Sequence, residues 1–271
     1  SAFLGELFPD LKITGRWLFR VTRNSELYID DEEVANLLSA VENELQNRRK
    51  GAAVRLEVNH DCPPAIRAEL LKQLRLGEAD LFTIKSPMHP APLMGLVGES
   101  EFPELRYPSF VAPIRPELQT KADIFGAIRK QDMLLHHPYE SYEAVVNFLQ
   151  QAAADPQVLA IKQTLYRTGG DTRIIGALMD AVKSGKQVTA VVELRARFDE
   201  ANNILWARQL EEAGVHVVYG LVGYKIHAKA TLVVRRDKDQ IRRYLHLATG
   251  NYNPGTARIY TDTSLLTCHQ E

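Results

Sequence analysis

The chain has 271 residues, of which 45% are hydrophobic and 25% are charged, and its formal net charge at pH 7 is -1. This is the composition of an ordinary globular protein with enough apolar material for a core. It contains no run of eighteen uncharged apolar residues and no charged-then-apolar leader, so we expect neither a membrane span nor a secretion signal. Cys62 and Cys268 lie far apart without metal-like spacing, which favours reduced thiols in a cytoplasmic protein.

The near-neutral net charge conceals an uneven distribution. Residues 160–260 contain 16 Lys and Arg against 9 Asp and Glu, so the rest of the chain has an acidic excess. A basic half indicates an anionic partner such as phosphate, nucleotide or nucleic acid. On charge alone, a solvated surface of mixed charge is the simpler interpretation.

The first elements predict a small α/β module. Residues 16–22 alternate as a strand, and apolar residues between 34 and 45 recur on one helical face. Residues 54–58 predict a second strand, and Pro63 and Pro64 open a helix that continues to Leu74. Seven of the 13 prolines then fall between Pro87 and Pro116, which predicts that residues 86–116 connect two halves.

The second half begins with three helix-start signals. Thr120-x-x-Asp123 predicts a capping box for a short helix, and Ser141 can cap a helix that carries an apolar face through Ala153. Asp171 can cap a third helix, which Gly185 ends.

Strands and helices alternate in this half. Strands are predicted at 158–166, 188–194 and 215–219, with a helix from Glu200 to Gly214 before the last of them. Three more strand-like runs follow without a helix between them, at 228–236, 243–249 and 259–266. The predicted fold class is therefore α/β, with a mixed sheet flanked by helices and preceded by the smaller α/β module.

Basic residues follow the predicted strands where ligands of such sheets usually bind. Arg167 follows the first strand, Arg197 follows the second, and His227 with Lys229 comes after the third. A guanidinium offers a planar fork of donors that suits phosphate oxygens. His227 and Lys229, two apart in a strand, are expected to project from one face, as suits a nucleophilic imidazole beside a fixed positive charge.

Other histidines have simpler interpretations. His136 and His137 are adjacent, so their side chains diverge, and we expect them in a loop that leads into a helix. His216 lies in an apolar strand and is expected to be structural, and His246 also lies in a strand-like run.

Two sets of motifs resemble known families. His227-x-Lys229 with the turn Gly250-Asn251-Tyr252-Asn253 resembles half of a phospholipase D-type site, although that superfamily's aspartate falls on Val234. The longer strings resemble the phospholipase D-like polyphosphate kinases: 136–141 (HHPYES), 162–170 (KQTLYRTGG), 225–229 (KIHAK) and 249–258 (TGNYNPGTAR).

The resemblance to the polyphosphate kinases implies a domain organisation. Residues 1–113 are similar to a head domain, and residues 114–271 to the first phospholipase D-like catalytic domain, cut short at its end. The amino-terminal helical domain and the second catalytic domain of that family have no counterpart here, so we expect an internal piece of a longer protein.

The same resemblance implies site roles. His227 matches the histidine that is phosphorylated, and His246 matches a second histidine of the reaction. Lys229 is assigned from its position beside His227, where its charge can offset that of the phosphate oxygens. Tyr260 matches a nucleotide-contacting tyrosine. Arg167 and Arg197 match the magnesium–phosphate site, where we expect them to bind phosphate oxygens rather than the metal, since arginine has no lone pair to give.

The implied reaction is reversible transfer of the terminal phosphate of ATP to inorganic polyphosphate, with Mg²⁺ as cofactor and ADP as the product. Expected partners are ATP or ADP, polyphosphate, the missing second catalytic domain and further copies of the full-length protein, with no specific nucleic acid. The expected location is the cytoplasm, with peripheral attachment to a membrane left open.

Two alternatives remain open at this point. A phospholipase D-like phosphodiesterase could assemble two half-sites by dimerisation. A non-catalytic module could use the basic half to bind a polyanion.

Overall fold

The computed structural model describes residues 4–26, 36–48, 51–85, 87–98, 102–170, 172–220, 224–238 and 240–269. So far as these ranges extend, the chain forms two compact units, one from residues 1–28 and 44–109 and the other from 29–43 and 110–271. The domain boundary at 113/114 stays a prediction.

The smaller unit is built around a three-stranded sheet. Strand β2 is central, antiparallel to β1 and parallel to β3. Its core cluster contains Leu56, Val58, Cys62 and Leu71, so β2 and the third helix supply three of the four buried residues. The short strand β3 is absent from the sequence prediction. The elements in this part of the chain are α1 (Leu4–Leu7), β1 (Phe19–Arg23), α2 (Leu37–Arg48), β2 (Ala53–Asn59), α3 (Pro64–Leu74) and β3 (Leu81–Ile84).

The proline-rich connection contains neither strand nor α-helix in its described residues. It forms short 3-10 turns at Ala91–Gly98 and Pro103–Leu105, and a third turn begins at Pro116. This agrees with the prediction, because proline supplies no amide hydrogen for a helix interior or a central strand.

The larger unit contains a seven-stranded sheet in the order β4-β10-β9-β8-β5-β6-β7. Strands β5, β6 and β7 are parallel, and every other neighbouring pair is antiparallel. The predicted mixed sheet flanked by helices is confirmed. Its elements are α4 (Ile124–Lys130), β4 (Met133–His137), α5 (Glu143–Ala154), β5 (Val158–Leu165), α6 (Arg173–Lys183), β6 (Gln187–Val192), α7 (Glu200–Glu212), β7 (His216–Tyr219), β8 (Lys229–Asp237), β9 (Gln240–Ala248) and β10 (Asp262–Thr267).

Apolar spacing explains why the helices lie against this sheet. Val145, Phe148 and Leu149 of α5 are buried, as are Ile174 and Leu178 of α6. Helices α6 and α7 each end before a glycine with positive φ, at +80° and +92°, and the chain then enters the next strand. Glycine adopts this left-handed conformation without the steric cost that a Cβ would add.

The helix-start predictions were partly wrong. Helix α4 begins at Ile124, and the Asp123 carboxylate caps it by accepting from the Gly126 amide at 2.8 Å. Thr120 lies outside the helix because its hydroxyl donates instead to the Asn147 side chain at 3.1 Å. Ser141 accepts from the Glu143 amide at 3.2 Å, although the residue flanking α5 is Tyr142. Asp171 lies outside the described residues.

The two adjacent histidines end a strand rather than a loop. His137 is the last residue of β4 and is buried, with Nδ1 2.9 Å from the Glu140 carbonyl and Nε2 3.0 Å from the Ser264 hydroxyl. The expected loop was wrong because pairing of β4 with β10, more than 100 residues later, creates the strand.

Candidate active site

The candidate site lies at one edge of the seven-stranded sheet. The parallel strands β5, β6 and β7 all end there, and β8, which is antiparallel to β5, begins there. Arg167 follows β5, Arg197 follows β6, and Lys229 is the first residue of β8. Topology therefore brings residues from distant parts of the sequence to one edge.

Tyr166 forms an aromatic platform for the basic residues. Its ring is nearly buried, and the His227 ring packs edge-on against it with centroids 4.8 Å apart. The Lys229 Nζ lies 4.9 Å from the Tyr166 ring centroid, the Lys225 Nζ 5.8 Å and the Arg167 guanidinium carbon 5.3 Å. An aromatic face attracts cations, so one ring holds three positive charges beside the imidazole.

His227 reaches this position differently from the sequence prediction. It lies in the segment before β8 instead of inside the strand, so strand alternation does not orient it. Contact with Tyr166 places it beside Lys229 instead. His227 and Lys229 therefore lie close together as predicted, but the predicted reason, strand alternation, was wrong.

The surroundings of His227 favour a neutral ring. Partial burial lowers the pKa of His227, and the positive charges of Lys229, Lys225 and Arg167 lower it further. Burial also lowers the pKa of Lys229, with the nearby Arg167 acting in the same direction and Asp262 opposing it. A neutral imidazole has a free nitrogen lone pair, which a nucleophile requires.

The two arginines are differently placed. Arg167 donates from Nη2 to the Arg197 carbonyl at 3.0 Å, and its Nε lies 3.5 Å from the Asp199 carboxylate. The Arg197 side chain is exposed and lies beside Phe198, with the guanidinium carbon 5.3 Å from the ring centroid. Arg167 is thus held at the Tyr166 platform, whereas Arg197 points toward open surface at the same edge.

Glu193 and Asn203 fix the backbone around the site. The buried Glu193 carboxylate accepts from the Arg195 amide at 2.9 Å and from the Ile226 amide, next to His227, at 2.7 Å. The buried Asn203 amide donates to the Tyr166 carbonyl at 2.7 Å and to the Glu193 carbonyl at 2.8 Å. These two side chains join the ends of β5 and β6 to the segment that carries His227.

Replacing Glu193 with Gln should loosen that segment. Both carboxylate oxygens accept from backbone amides, and a glutamine has only one side-chain oxygen. One buried amide then loses its acceptor, which costs about 1–3 kcal/mol in the free energy of unfolding. Urea unfolding should show this loss for Glu193→Gln and almost none for Glu212→Gln on the exposed surface of α7. Equal stability of the two variants would contradict the role of Glu193.

Two glycines permit close approach of neighbouring turns. Gly169 has φ +63°, and a Cβ there would collide with the Asn253 side chain. A Cβ at Gly250 would lie 2.6 Å from the Asp262 carboxylate. The turn after β9 therefore packs directly on the loop after β5, and the Trp206 indole Nε1 donates to the Gly169 carbonyl at 3.3 Å on the same loop.

Comparisons with known proteins agree with this architecture. The model of polyphosphate kinase C-terminal domain 1 matches residues 123–271, and that of the polyphosphate kinase middle domain matches residues 1–96. The polyphosphate kinase of Xylella fastidiosa strain 9a5c is 53% identical over 270 residues, and that of Neisseria meningitidis serogroup B is 49% identical over 270 residues. The chain belongs to the polyphosphate kinase family.

The match covers this chain far more fully than its relatives. The two alignments cover 99% and 100% of this chain but 38% and 39% of those proteins. The crystal structure of polyphosphate kinase from Porphyromonas gingivalis matches with a TM-score of 0.73 at 27% identity, covering 99% of this chain and 38% of that one. The chain therefore spans about two fifths of the length of its relatives. None of its described helices combines the length and apolar character needed to cross a bilayer.

His246, which matches the second histidine of the implied reaction, is an interior residue of this family member. The residue is fully buried in β9, with Nδ1 2.8 Å from the Tyr252 hydroxyl. The Tyr252 hydroxyl lies 2.7 Å from that of Thr231, which lies 2.7 Å from the Gln163 Oε1. Each of these three hydrogen bonds needs one hydrogen, and the Thr231 and Tyr252 hydroxyls supply only two, so the third is on Nδ1 of His246. The Nε2 of His246 has no hydrogen-bond partner in the described chain. A role of His246 in the reaction stays a prediction, and burial restricts that role to positioning.

The buried His246 predicts acid sensitivity. Burial, and secondarily His137, lowers its pKa to about 3 from an ordinary value of 6.5. Between pH 6.5 and pH 3 the unfolded chain binds a proton at His246 that the folded chain does not bind. The contribution of the neutral His246 to the free energy of unfolding is therefore fully present above pH 6.5 and is lost as the pH falls toward 3. At about 1.4 kcal/mol per pH unit, the loss is roughly 3 kcal/mol at pH 4.

Urea unfolding between pH 7 and pH 4 measures this dependence. The His246→Gln variant cannot titrate at this position, so its stability should change less steeply with pH, whatever its absolute stability. Identical slopes for the variant and the parent chain would show that another group is responsible.

Tyr260 has an exposed ring at the same edge. It follows the 3-10 turn Thr256–Arg258, its amide donates to the Thr256 carbonyl at 2.9 Å, and its side chain is 62% exposed. An exposed aromatic ring can stack on a flat ligand such as a nucleotide base. Its contact with ATP stays a prediction.

The residues of the site suit phosphate better than a directly bound metal ion. Asp199 pairs with Arg167, Asp262 accepts from the Thr249 hydroxyl at 2.8 Å, and both oxygens of Glu193 accept from the backbone. No group of three or more His, Cys, Asp or Glu in the described residues is arranged to hold a metal. Magnesium prefers oxygen ligands, and phosphate oxygens supply them.

Proposed function

We propose that this chain carries the phosphate-accepting half of a polyphosphate kinase site, with His227 as the residue that becomes phosphorylated. The observation that carries the proposal is the packing of His227 on the Tyr166 ring beside Lys229, Lys225 and Arg167, whose positive charges favour the neutral imidazole. A neutral nucleophile surrounded by fixed cations is the arrangement that transfer of a highly charged phosphoryl group requires.

The proposed reaction has two steps. A nitrogen of the neutral His227 ring attacks the terminal phosphorus of ATP, the nitrogen–phosphorus bond forms, and the bond to the ADP oxygen breaks. A terminal oxygen of inorganic polyphosphate then attacks that phosphorus, and the nitrogen–phosphorus bond breaks to regenerate the ring. Both steps are reversible. Mg²⁺ enters with the nucleotide as part of the substrate, bound through phosphate oxygens rather than by this chain's carboxylates.

The cations of the site have distinct proposed roles. Lys229 and Arg167 lie against the Tyr166 platform and offset charge on the equatorial oxygens of the moving phosphoryl group. The exposed Arg197 binds an outer phosphate of the nucleotide or the polyphosphate. Tyr260 stacks on the base, and His246, which lies opposite Thr231 in the neighbouring strand β9, supports β8, which begins at Lys229.

The proposed site is completed by other polypeptide. The second catalytic domain of the same protein would cover the exposed side of His227, and further copies would form the oligomer. Exposed apolar side chains at this edge, namely Phe198, Tyr224, Ile259 and Tyr260, support such a covering. No specific nucleic acid is involved, and peripheral membrane attachment remains an expectation.

Retention of label from γ-labelled ATP tests the proposal against its two alternatives. A phosphohistidine loses its label in acid and keeps it in base. A phosphodiesterase would instead cleave bis-p-nitrophenyl phosphate, and a polyanion-binding module would neither retain label nor cleave this ester. Cleavage of the ester without retained label would overturn the proposed kinase.

A further inference from the structure

Strand β8 links the candidate site to a second basic region at the opposite edge of the sheet. It starts at Lys229 and ends at Asp237, where it pairs with Gln240 at the start of β9. Nine residues of extended chain span roughly 25–30 Å. Features around Asp237 are therefore remote from His227.

Two adjoining surface cavities form a groove at this far edge. One has a volume of about 520 Å³ and the other about 570 Å³, and Arg129 and Arg242 line both. The first is also lined by Arg235, Arg236 and Lys238, and the second by Lys130. We call this feature, with its six cations, the far-edge groove.

The internal ion pairs leave a positive surplus. Asp237 is buried and accepts from Arg235, from the Arg242 Nε at 3.2 Å and from the Arg129 Nη1 at 3.4 Å. A single carboxylate cannot neutralise three guanidinium groups. Among the described residues, six cations of the groove face four carboxylates, namely the lining Asp132 and Asp237 and the outer partners Asp123 and Asp155.

Two of the cations are available to a ligand. The Arg236 and Lys238 side chains are exposed and line the first cavity, and neither side chain forms an ion pair with a described residue. Guanidinium and ammonium groups at the rim of a cavity bind phosphate oxygens by charge-assisted hydrogen bonds. The structure thus holds Arg129, Arg235 and Arg242 in ion pairs and leaves Arg236 and Lys238 open to solvent.

The shape and lining distinguish between polyanions. Two cavities that share Arg129 and Arg242 suit an extended chain of phosphates better than a single phosphate ion. Neither cavity is lined by a described Phe, Tyr or Trp. Proteins that bind single-stranded nucleic acid normally stack its bases on such rings, so the lining favours a chain without bases.

We propose that the far-edge groove binds a segment of inorganic polyphosphate, as an anchoring site separate from the edge that carries His227. The identity of the polyanion rests on the proposed function, whereas the presence of an anion site rests on the groove alone. A chain held at both edges dissociates more slowly than one held at His227 only, because release of one segment leaves the other bound.

Binding of long-chain inorganic polyphosphate to the 271-residue chain, measured over a range of salt concentrations, tests the proposal. The double variant Arg236→Gln/Lys238→Gln should bind more weakly than the parent chain. Its slope of log affinity against log salt should be shallower by about one to two, since two phosphate contacts are lost. The matched control Lys72→Gln/Lys85→Gln removes the same charge from exposed positions outside the groove and should leave the slope unchanged.

A second variant adds charge instead of removing it. Gln240→Glu places a carboxylate in the groove lining and should also weaken polyphosphate binding while every cation remains. Parental affinity and slope in both groove variants, or an equal loss in the control, would overturn the proposal. Single-stranded DNA that binds as tightly as polyphosphate and loses affinity in the same variants would show that the groove serves nucleic acid instead.

Phosphohistidine labelling separates this inference from the proposed function. In the longer polypeptide that carries this chain, the groove variants should keep the acid-labile label at His227 and lose affinity for long polyphosphate. Polyphosphate binding that depends on the groove, without any phosphohistidine label, would support the groove as an anion site and contradict the proposed kinase. Normal labelling of His227, with polyphosphate binding that the groove variants do not change, would support the kinase and contradict the groove.

Discussion

Replacing His227 with Ala should abolish acid-labile labelling by γ-labelled ATP in the longer polypeptide that carries this chain. No other described histidine combines exposure with contact to the Tyr166 platform, since His246 is fully buried and His137 is nearly so. Because His227 lies on the surface before β8, its removal leaves the strands intact, and the thermal unfolding temperature should stay near that of the parent protein.

His216→Ala provides the matched control for this experiment. His216 is an exposed histidine at the start of β7, and its replacement should leave labelling unchanged. Labelling that persists in His227→Ala would mean that another side chain is the nucleophile. Loss of labelling in both variants would indicate that the substitutions disturb the fold, instead of removing the nucleophilic nitrogen of His227.

The 271-residue chain alone should bind polyphosphate but should not synthesise it. Phosphoryl transfer requires the attacking atom, the phosphorus and the leaving oxygen to be in line, with several negative charges neutralised together. In the proposed site this chain supplies one wall, and His227 is exposed to solvent. Loss of a single preorganised donor commonly costs about 10²–10³ in rate, so loss of a whole wall should cost more and also admit water.

Steady-state formation of polyphosphate from ATP measures the turnover of the isolated chain. The His227→Ala form of the same chain sets the background, and the two should be indistinguishable. Synthesis by the parent chain that disappears in the variant would show that turnover needs no second catalytic domain. Binding should survive in both forms, because we expect Arg167 and Arg197 to bind phosphate oxygens before any bond changes.

The repeating part of the fold could be predicted from the sequence because its signals are local. Buried apolar runs mark β5 and β6, and the glycines at 185 and 214 end the helices that alternate with them. Strand β4 gives no such signal. Its burial alternates, Leu134 is 60% exposed, and its ladder is completed by β10 from the far end of the chain.

The candidate site was predictable only in part, for a related reason. Arg167, Arg197 and Lys229 stand at strand ends, and parallel strands bring such ends to one edge. The positions of strand ends do not predict the roles of Glu193 and Asn203, because both side chains bond to backbone groups more than 30 residues away. Tyr166 was only weakly indicated, as an aromatic residue directly before Arg167. Its contacts with His227, Lys225 and Lys229 depend on how the segment before β8 folds back.

The hydrogen bond from Trp206 to the Gly169 carbonyl gives this protein a built-in optical probe. The chain has two tryptophans, Trp17 and Trp206, and Trp206 is hydrogen-bonded to the loop that follows Arg167. With Trp17→Phe, all indole fluorescence comes from a ring attached to that loop. We expect a phosphorylated ligand that binds at Arg167 to change the emission of the remaining indole, and a fluorescence titration without an added dye would measure that change.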